Sequence, residues 1–282
     1  MNIPGLHGED LTIGEGETRI MGIVNVTPDS FSDGGQFYEA AQAVDHGLTL
    51  VAEGAAILDV GGESTRPGYT PVDDPEQIRR IIPVISGLRR GTSVPISVDT
   101  SSATVAQAAL EAGADWINDT TALSADPNLA EVAARFDCAL VLMHRFDPPR
   151  RRGDTPAGAD VLAQIVDTLS ERVEWARRSG IDLNRIILDP GLGFGTLFGD
   201  SLAIIADIGP MRRLPHPLLV GPSRKSFVGQ MTSKPADQRL HGTSAAVAIL
   251  AMQSVEIIRV HDVGAMVDVV RVADGLREHR GH

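Results

Sequence analysis

Eight short apolar runs, spread along the chain and separated by segments of helical pattern, confine this sequence to very few architectures. They occupy residues 20–24, 57–60, 96–98, 116–117, 139–143, 186–188, 218–220 and 257–260. None alternates cleanly between apolar and polar residues, which is the pattern of strands buried on both faces of a parallel sheet. The segments between them, 39–53, 75–89 and 104–111 among others, place apolar residues three or four apart and end near a small residue or glycine, as at Gly54 and Gly113. The longest and most charged, 160–179, meets Gly180 at the position of a C-terminal cap. Right-handed crossovers between such strands leave an open doubly wound sheet or a closed barrel. An open sheet of this kind would show a Gly-x-Gly-x-x-Gly loop after its first strand, where this chain reads Asn25, Val26, Thr27, Pro28, Asp29. The expected fold is therefore α/β, a (β/α)8 TIM barrel. No composition break or Ser/Pro-rich linker divides residues 1–282, so a single unit is expected. Within 1–19, the Gly- and Glu-rich stretch 6–19 is expected to form a short hairpin closing the barrel floor.

Composition supports that choice and narrows the partners. With 43% hydrophobic and 22% charged residues the chain has material for a large core, and with only 4% aromatics that core must be built from Val, Ile, Leu and Ala. The 37 acidic against 25 basic residues give a net charge of −12, which opposes binding to nucleic acid or an anionic membrane and favours a small-molecule partner. The one cysteine, Cys138, excludes an intramolecular disulfide and a multi-cysteine zinc site, and its apolar surroundings make it a structural residue. Residues 1–10 lack a basic segment followed by an apolar one, and no run approaches the ~18 apolar residues of a membrane span. A cytoplasmic protein is expected.

Catalytic groups in such barrels gather where strands end, at the C-terminal mouth. A polar residue stands at nearly every exit: Asn25; Asp59 running into Gly61, Gly62 and Glu63; Asp99; Asn118 and Asp119; His144; Asp189; Ser223, Arg224 and Lys225; Arg259 and His261. Any one of these taken singly reads as a turn or cap residue, but the coincidence over eight exits does not. Asp99, Asn118 and Asp189 supply acceptors, and Asn118 two amide donors as well, a set suited to a flat heterocycle with ring N–H and exocyclic amino groups. Arg259, His261, Asn25 and Arg66 supply charge-assisted donors and a hard oxygen, suited to a phosphate or pyrophosphate with Mg²⁺. No His/Asp/Glu cluster has zinc-like spacing. Glycine pairs at 34–35 and 61–62 and the stretch 191–195 mark loops at the mouth, all explicable as tight turns, the first two open equally to a gating role. Arg150, Arg151 and Arg152 read as a solvated basic turn.

Two long segments carry a family resemblance. Residues 21–35, MGIVNVTPDSFSDGG, and 59–68, DVGGESTRPG, resemble the two signature segments of the dihydropteroate synthase family, the sulfonamide target in folate synthesis. ISVDT (96–100), IND (117–119), LDPGLGFG (188–195), GPSRKSFVG (221–229) and IIRVHDV (257–263) match further segments in the family's order, so the resemblance covers essentially 21–272. It implies a transferase that joins 6-hydroxymethyl-7,8-dihydropterin pyrophosphate to 4-aminobenzoate and releases pyrophosphate. It also implies roles. Asp99, Asn118, Asp189 and Lys225, with Met143, would hold the pterin; Asn25 would ligate Mg²⁺; Arg259 and His261 would bind pyrophosphate. Phe31, Thr65, Arg66, Pro67, Phe194 and Ser226 would surround the aminobenzoate, with Asp33 on the first loop. A homodimer is implied too, through helices near the C-terminus; the small, apolar stretch 244–254 suits such packing or burial against the barrel equally.

The chain departs from the family pattern twice. After Met143 and His144 come Arg145, Phe146, Asp147 and the pair Pro148-Pro149 in place of a short Met- or Asn-containing polar segment, and Thr196 stands where Lys is common. Two rival readings follow from fold and site: a methyltransferase of the same barrel group, which needs neither the pyrophosphate pair nor the loop 63–67, and a paralogue that binds pterin without catalysis.

Overall fold

The computed structural model describes residues 1–14, 16–26, 36–63, 72–151, 154 and 159–280. Eight parallel strands form one sheet: β3 (Arg19–Asn25), β4 (Ile57–Gly61), β5 (Ile96–Asp99), β6 (Trp116–Asp119), β7 (Ala139–Met143), β8 (Ile186–Asp189), β9 (Leu219–Val220) and β10 (Ile257–Val260), preceded by β1 (Asn2–Ile3) and β2 (Leu11–Thr12). Their spatial order is β8-β7-β6-β5-β4-β3-β10-β9, and a parallel bridge between Leu188 and Leu218 closes the ring. Each expected run is a strand, most of them one or two residues longer toward the mouth. The extension has a cause: polar residues such as Asp99 and Asn118 still pair with their neighbours in register after the apolar run has ended.

Helices α1 (Gln36–Ala52), α2 (Asp74–Gly91), α3 (Ala103–Glu111), α4 (Asn128–Phe136), α5 (Ala159–Arg178), α6 (Phe198–Ala206), α7 (Ser226–Thr232), α8 (Leu240–Met252) and α9 (Val263–Arg280) surround the strands. Gly54, Gly113 and Gly180 all take left-handed φ where helices end, as their positions implied. Helix α2 begins one residue before its expected start because Asp73 caps it, accepting the Glu76 N–H at 3.0 Å, a contact worth about 1 kcal/mol. Cys138 is 1% exposed, and burial pushes its thiol up to about 12, in keeping with a structural role.

The strands divide the core in two. Outward residues such as Leu58, Val98, Ile117, Leu140 and Ile258 pack with the helices, while Met21, Ile57, Trp116, Ala139, Val141, Ile187, Leu219 and Ile257 form a separate inner cluster. Ile3, Leu11 and Ile13 join that inner cluster. The hairpin therefore closes the barrel floor, but its arms are Asn2–Ile3 and Leu11–Thr12, so it starts before residue 6 and does not run on to Arg19, which opens β3. Apolar plugging decides this: only the earlier pairing turns Ile3 and Leu11 together toward the inner cluster.

Beneath that plug, Asp115 is fully buried and its two oxygens accept four hydrogen bonds: from the backbone N–H groups of His7 (2.6 Å) and Gly8 (2.8 Å), from Ile96 N–H (2.9 Å) and from Arg89 Nη2 (2.8 Å). One carboxylate thus joins the N-terminal segment, α2 and two strands.

Candidate active site

Side chains two residues apart on a strand share a face. Reading upward from the inner apolar cluster, the inward positions near the mouth become polar or small, at Asn25, Asp59 and Gly61, Asp99, Asn118, Asp189, Gly221 and Arg259, with the apolar Met143 as the exception. Rigid strands hold this polar layer, so the expected site residues Asp99, Asn118, Asp189, Met143 and Arg259 are brought together by the backbone itself. Asp99 pairs in register with Asn118, and Met143 with Asp189. Two other polar exit residues face the opposite way. Asp119 accepts from the N–H groups of Thr121 (2.9 Å) and Leu123 (2.5 Å), shaping its own loop, and His144 is buried against Phe146, ring centres 4.5 Å apart. The same period of two that brings the neighbours Asn118 and Met143 inward turns these outward.

Arg259 is at the centre of the layer. Its Nε donates to Asp59 Oδ2 at 2.6 Å and its Nη2 to Asp99 Oδ2 at 3.0 Å. Asn118 Nδ2 donates to the same Asp59 oxygen at 3.0 Å, which fixes the amide so that Oδ1 is turned away from Asp59. Asp59 is the residue missing from the sequence-level site. It was visible as an exit residue, and its place two positions after the inward Ile57 was the signal that it belongs to the layer. Arg259 does not serve the expected phosphate group alone: its Nε–H and one N–H of Nη2 go to the two carboxylates, which among the described residues leaves Nη1 and the second N–H of Nη2 toward an anion.

Burial and crowding shift the titrations in this layer. Asp99 is pushed up to about 7, chiefly by burial and next by the Asp59 carboxylate, against the pull of Arg259. Asp189 rises to about 6 through burial, although it accepts the Gly191 N–H at 2.7 Å. Lys225 falls to about 8 because burial disfavours its charge more than Asp189 restores it. His144 falls to about 4 through burial, so it is neutral near pH 7.

The loop after β9 delivers Lys225 by a tight turn. Arg224 takes the left-handed φ of +57°; it pairs with Asp262 (Nε to Oδ2, 3.1 Å), and its N–H donates to Thr243 Oγ1 at 3.1 Å. Arg239 Nη1 donates to the carbonyls of Arg224 (2.8 Å) and Lys225 (3.2 Å). The Lys225 ammonium stands 4.1 Å from the centre of the Phe194 ring, and Ser226 follows it, exposed, as the first residue of α7. Ser223 Oγ accepts the backbone N–H of His261 at 3.2 Å and lies 2.9 Å from its Nδ1. The two contacts to one hydroxyl hold the His261 ring and its backbone against the loop after β9. Asn25 ends β3, half-buried, beside Gly61. A cleft of about 340 Å³ adjoins Asp99, walled by Glu63, Asp74, Gln77, Ser102 and Asp126. Phe31, Asp33, Thr65, Arg66 and Pro67 lie outside the described residues.

Two expectations about loops change. Arg150 is not a solvated residue: its side chain is 5% exposed and pairs with Asp200, because the loop after β7 folds back against α6 and carries the guanidinium inward. Arg151 is exposed, and Arg152 lies outside the described residues. Thr196 replaces a basic side chain with a stitch, its Oγ1 accepting the Gly193 N–H at 2.9 Å and meeting Ser201 Oγ at 3.1 Å.

A barrel whose polar layer joins acceptors for a flat ring to a central guanidinium is the site of a pterin-binding enzyme, and residues 21–261 match the family described as pterin binding enzyme. The dihydropteroate synthase of Synechocystis sp. is 41% identical over 260 residues, 92% of this chain and 90% of that protein. The Xanthomonas albilineans dihydropteroate synthase, solved with 4-aminobenzoic acid, superposes with a TM-score of 0.89 at 42% identity over 98% of both chains. The same enzyme solved in complex with 7,8-dihydropteroate gives a TM-score of 0.87 at 39% identity, covering 98% of this chain and 99% of that one. The chain belongs to the pterin-binding enzymes and, within them, to the dihydropteroate synthase family.

Proposed function

We infer that this protein condenses 6-hydroxymethyl-7,8-dihydropterin pyrophosphate with 4-aminobenzoate to give 7,8-dihydropteroate and pyrophosphate. The observation that carries the reading is the strand-borne layer of Asp59, Asp99, Asn118 and Asp189 around Arg259 and Lys225 in a chain 41% identical to a dihydropteroate synthase. Three carboxylates against two cations leave this layer with an excess of negative charge, which suits a cation and repels a phosphate. The pterin ring therefore belongs in the layer and the pyrophosphate above it, toward Nη1 of Arg259 and the His261 imidazole.

That division of charge supports a dissociative course. The bond from the exocyclic methylene to the pyrophosphate oxygen breaks, and its electron pair leaves with pyrophosphate, where Arg259 and His261 meet the developing charge. The methylene cation is shared with the pterin ring and faced by Asp99. The arylamine nitrogen then forms the new C–N bond with its lone pair and releases a proton afterwards. Phe194 and Ser226, beside Lys225, would form the wall that 4-aminobenzoate meets, together with Phe31, Thr65, Arg66, Pro67 and Asp33.

Mg²⁺ fits as a companion of the substrate. Among the described residues no group of three or more His, Cys, Asp or Glu side chains could hold a metal, and Asn25 offers one hard amide oxygen. Mg²⁺ keeps several positions for water and phosphate oxygens, so Asn25 would hold it jointly with the pyrophosphate, where it supplies charge neutralisation. The test is product formation: with Mg²⁺ and both substrates the protein should form dihydropteroate and pyrophosphate, and chelation by EDTA should abolish turnover reversibly. Tight pterin binding without product would overturn the synthase reading in favour of a binding paralogue.

The pH dependence has a definite sign. Asp99 must be ionised to face a cation, so kcat/KM for the pterin substrate should fall as pH drops through about 7, and it should fall again as Lys225 loses its proton above about 8. Steady-state rates across this range check it, with Asp99→Asn expected to remove the acidic limb. A flat profile through pH 7 would rule out the ionised Asp99.

We also propose a homodimer. Helices α8 and α9 pack together and leave Ile249, Val272 and Leu276 exposed at 46%, 65% and 57%, an apolar set that a second copy would cover. Among the described residues no helix is long and apolar enough to cross a membrane, and a cytoplasmic location with sulfonamide competition at the aminobenzoate wall completes the proposal.

A further inference from the structure

We infer that Arg150 and Asp200 are positioning residues: their buried ion pair clamps the loop after β7 onto the loop after β8 and so fixes Phe194 against the Lys225 ammonium. The inference rests on the synthase reading for what Phe194 faces, and it concerns the segment where this chain leaves its family's pattern.

Arg150 Nε lies 3.0 Å from Asp200 Oδ2, with the two side chains 5% and 3% exposed. The same Asp200 oxygen accepts the Leu197 N–H at 2.8 Å, at the start of α6, so one atom ties a helix to a neighbouring loop. The Arg150 guanidinium carbon is 5.1 Å from the centre of the Phe146 ring, and that ring meets His144 edge-on, 79° between planes. The main chains of the two loops are joined as well: Phe146 N–H donates to the Phe194 carbonyl at 3.2 Å and Arg150 N–H to the Gly195 carbonyl at 2.9 Å. Gly195 has a φ of +73°, and a Cβ there would stand 2.4 Å from the Phe146 carbonyl oxygen. Only glycine allows the loops to approach this closely.

The carbonyls of Phe194 and of the residue after it are thus both held by the loop after β7, while the Phe194 ring meets Lys225 Nζ at 4.1 Å. An exposed pair would contribute little. Removing one partner of a buried pair strands the other charge, so breaking this pair should favour states in which the loops part and water reaches the remaining group. Lys225 has its own anchor in Arg239, and the pterin layer is borne on strands. Loosening the clamp should therefore act on the aminobenzoate wall and leave the pterin layer in place.

Steady-state kinetics on Arg150→Met, Asp200→Asn and Arg150→Lys test this. The first two should raise KM for 4-aminobenzoate about five- to tenfold, with kcat and KM for the pterin substrate within about twofold, the signature of lost binding on one substrate only. Arg150→Lys keeps the charge and should recover most of the loss, and the double variant should be no worse than the worse single one. Equal rises for both substrates, or no rise in folded variants, would overturn the inference. Amide hydrogen exchange over residues 192–195, away from the Leu197 N–H that Asp200 caps, needs no turnover: it should accelerate in Asp200→Asn, the mildest change, while 96–99 stays protected. Unchanged exchange defeats the clamp whatever the parent protein's activity, whereas a parent that makes no product defeats the synthase reading alone.

Discussion

Arg259→Ala is expected to lower kcat by about 10²–10³-fold, the loss that follows removal of one preorganised charge donor from a developing anion. The effect should exceed that of any other single truncation in the site because Arg259 has two attachments. On the proposed reading it would meet the pyrophosphate through Nη1, and through Nε and Nη2 it holds Asp59 and Asp99 at 2.6 and 3.0 Å. Without the guanidinium those carboxylates lose the charge that opposes their repulsion, and Asp99, already at about 7, should take up a proton at higher pH still. The variant should therefore show both a slower chemical step and an acidic limb displaced upward. Rates measured over pH, with pterin binding followed by calorimetry, separate the two. A kcat within about threefold of the parent would show that leaving-group charge is met elsewhere.

The largest loss of stability should come from a residue remote from the mouth. Asp115→Ala removes an acceptor of four hydrogen bonds, leaving the His7, Gly8 and Ile96 N–H groups and the Arg89 guanidinium without it. Breaking a buried pair by deleting one partner costs about 3–5 kcal/mol, which for a chain of this size lowers Tm by on the order of 10 °C. The exposed Glu174 makes the contrast. Arg177 and Arg178 hold its carboxyl down at about 2, yet both are solvent-facing neighbours on one helix surface, and Glu174→Gln should leave the melting curve where it is. If Asp115→Ala melted with the parent, the floor would be held by apolar plugging alone.

How much of this was legible in the residues differs by element. The eight runs became strands because apolar β-rich segments between amphipathic helices have few other uses. That Asp99, Asn118, Asp189 and Arg259 share one end of the barrel was legible because strand exits locate the mouth; Met143 came from the family resemblance, since the exit of its strand read as His144. What sequence order conceals is face. Asp119 and His144 looked equivalent to Asn118 and Met143 until the inner cluster fixed which parity points inward, and the same parity admits Asp59. The hairpin was read too late in the chain because Gly and Glu mark turns but not which apolar residues meet across them. Arg150 was hidden for a different reason: its partner Asp200 lies fifty residues on, and nothing local distinguishes a buried arginine in a basic triplet from a solvated one.

The ring of strands is also unequal in its seams. Between β8 and β9 the ladder thins to the Leu188–Leu218 bridge and the Leu188 N–H to Pro217 carbonyl bond of 2.9 Å, where proline has no N–H to return. Opening events begin where the fewest bonds must break, so this seam should be the first to open, with amide exchange at Leu188 and Leu219 the measure of it. Asp189 ends one bank of it, and Lys225 hangs from the loop that leaves the other. On the proposed reading a pterin held by both would be a rivet across the thinnest joint, and substrate should quiet the motion of the whole barrel by closing that single gap.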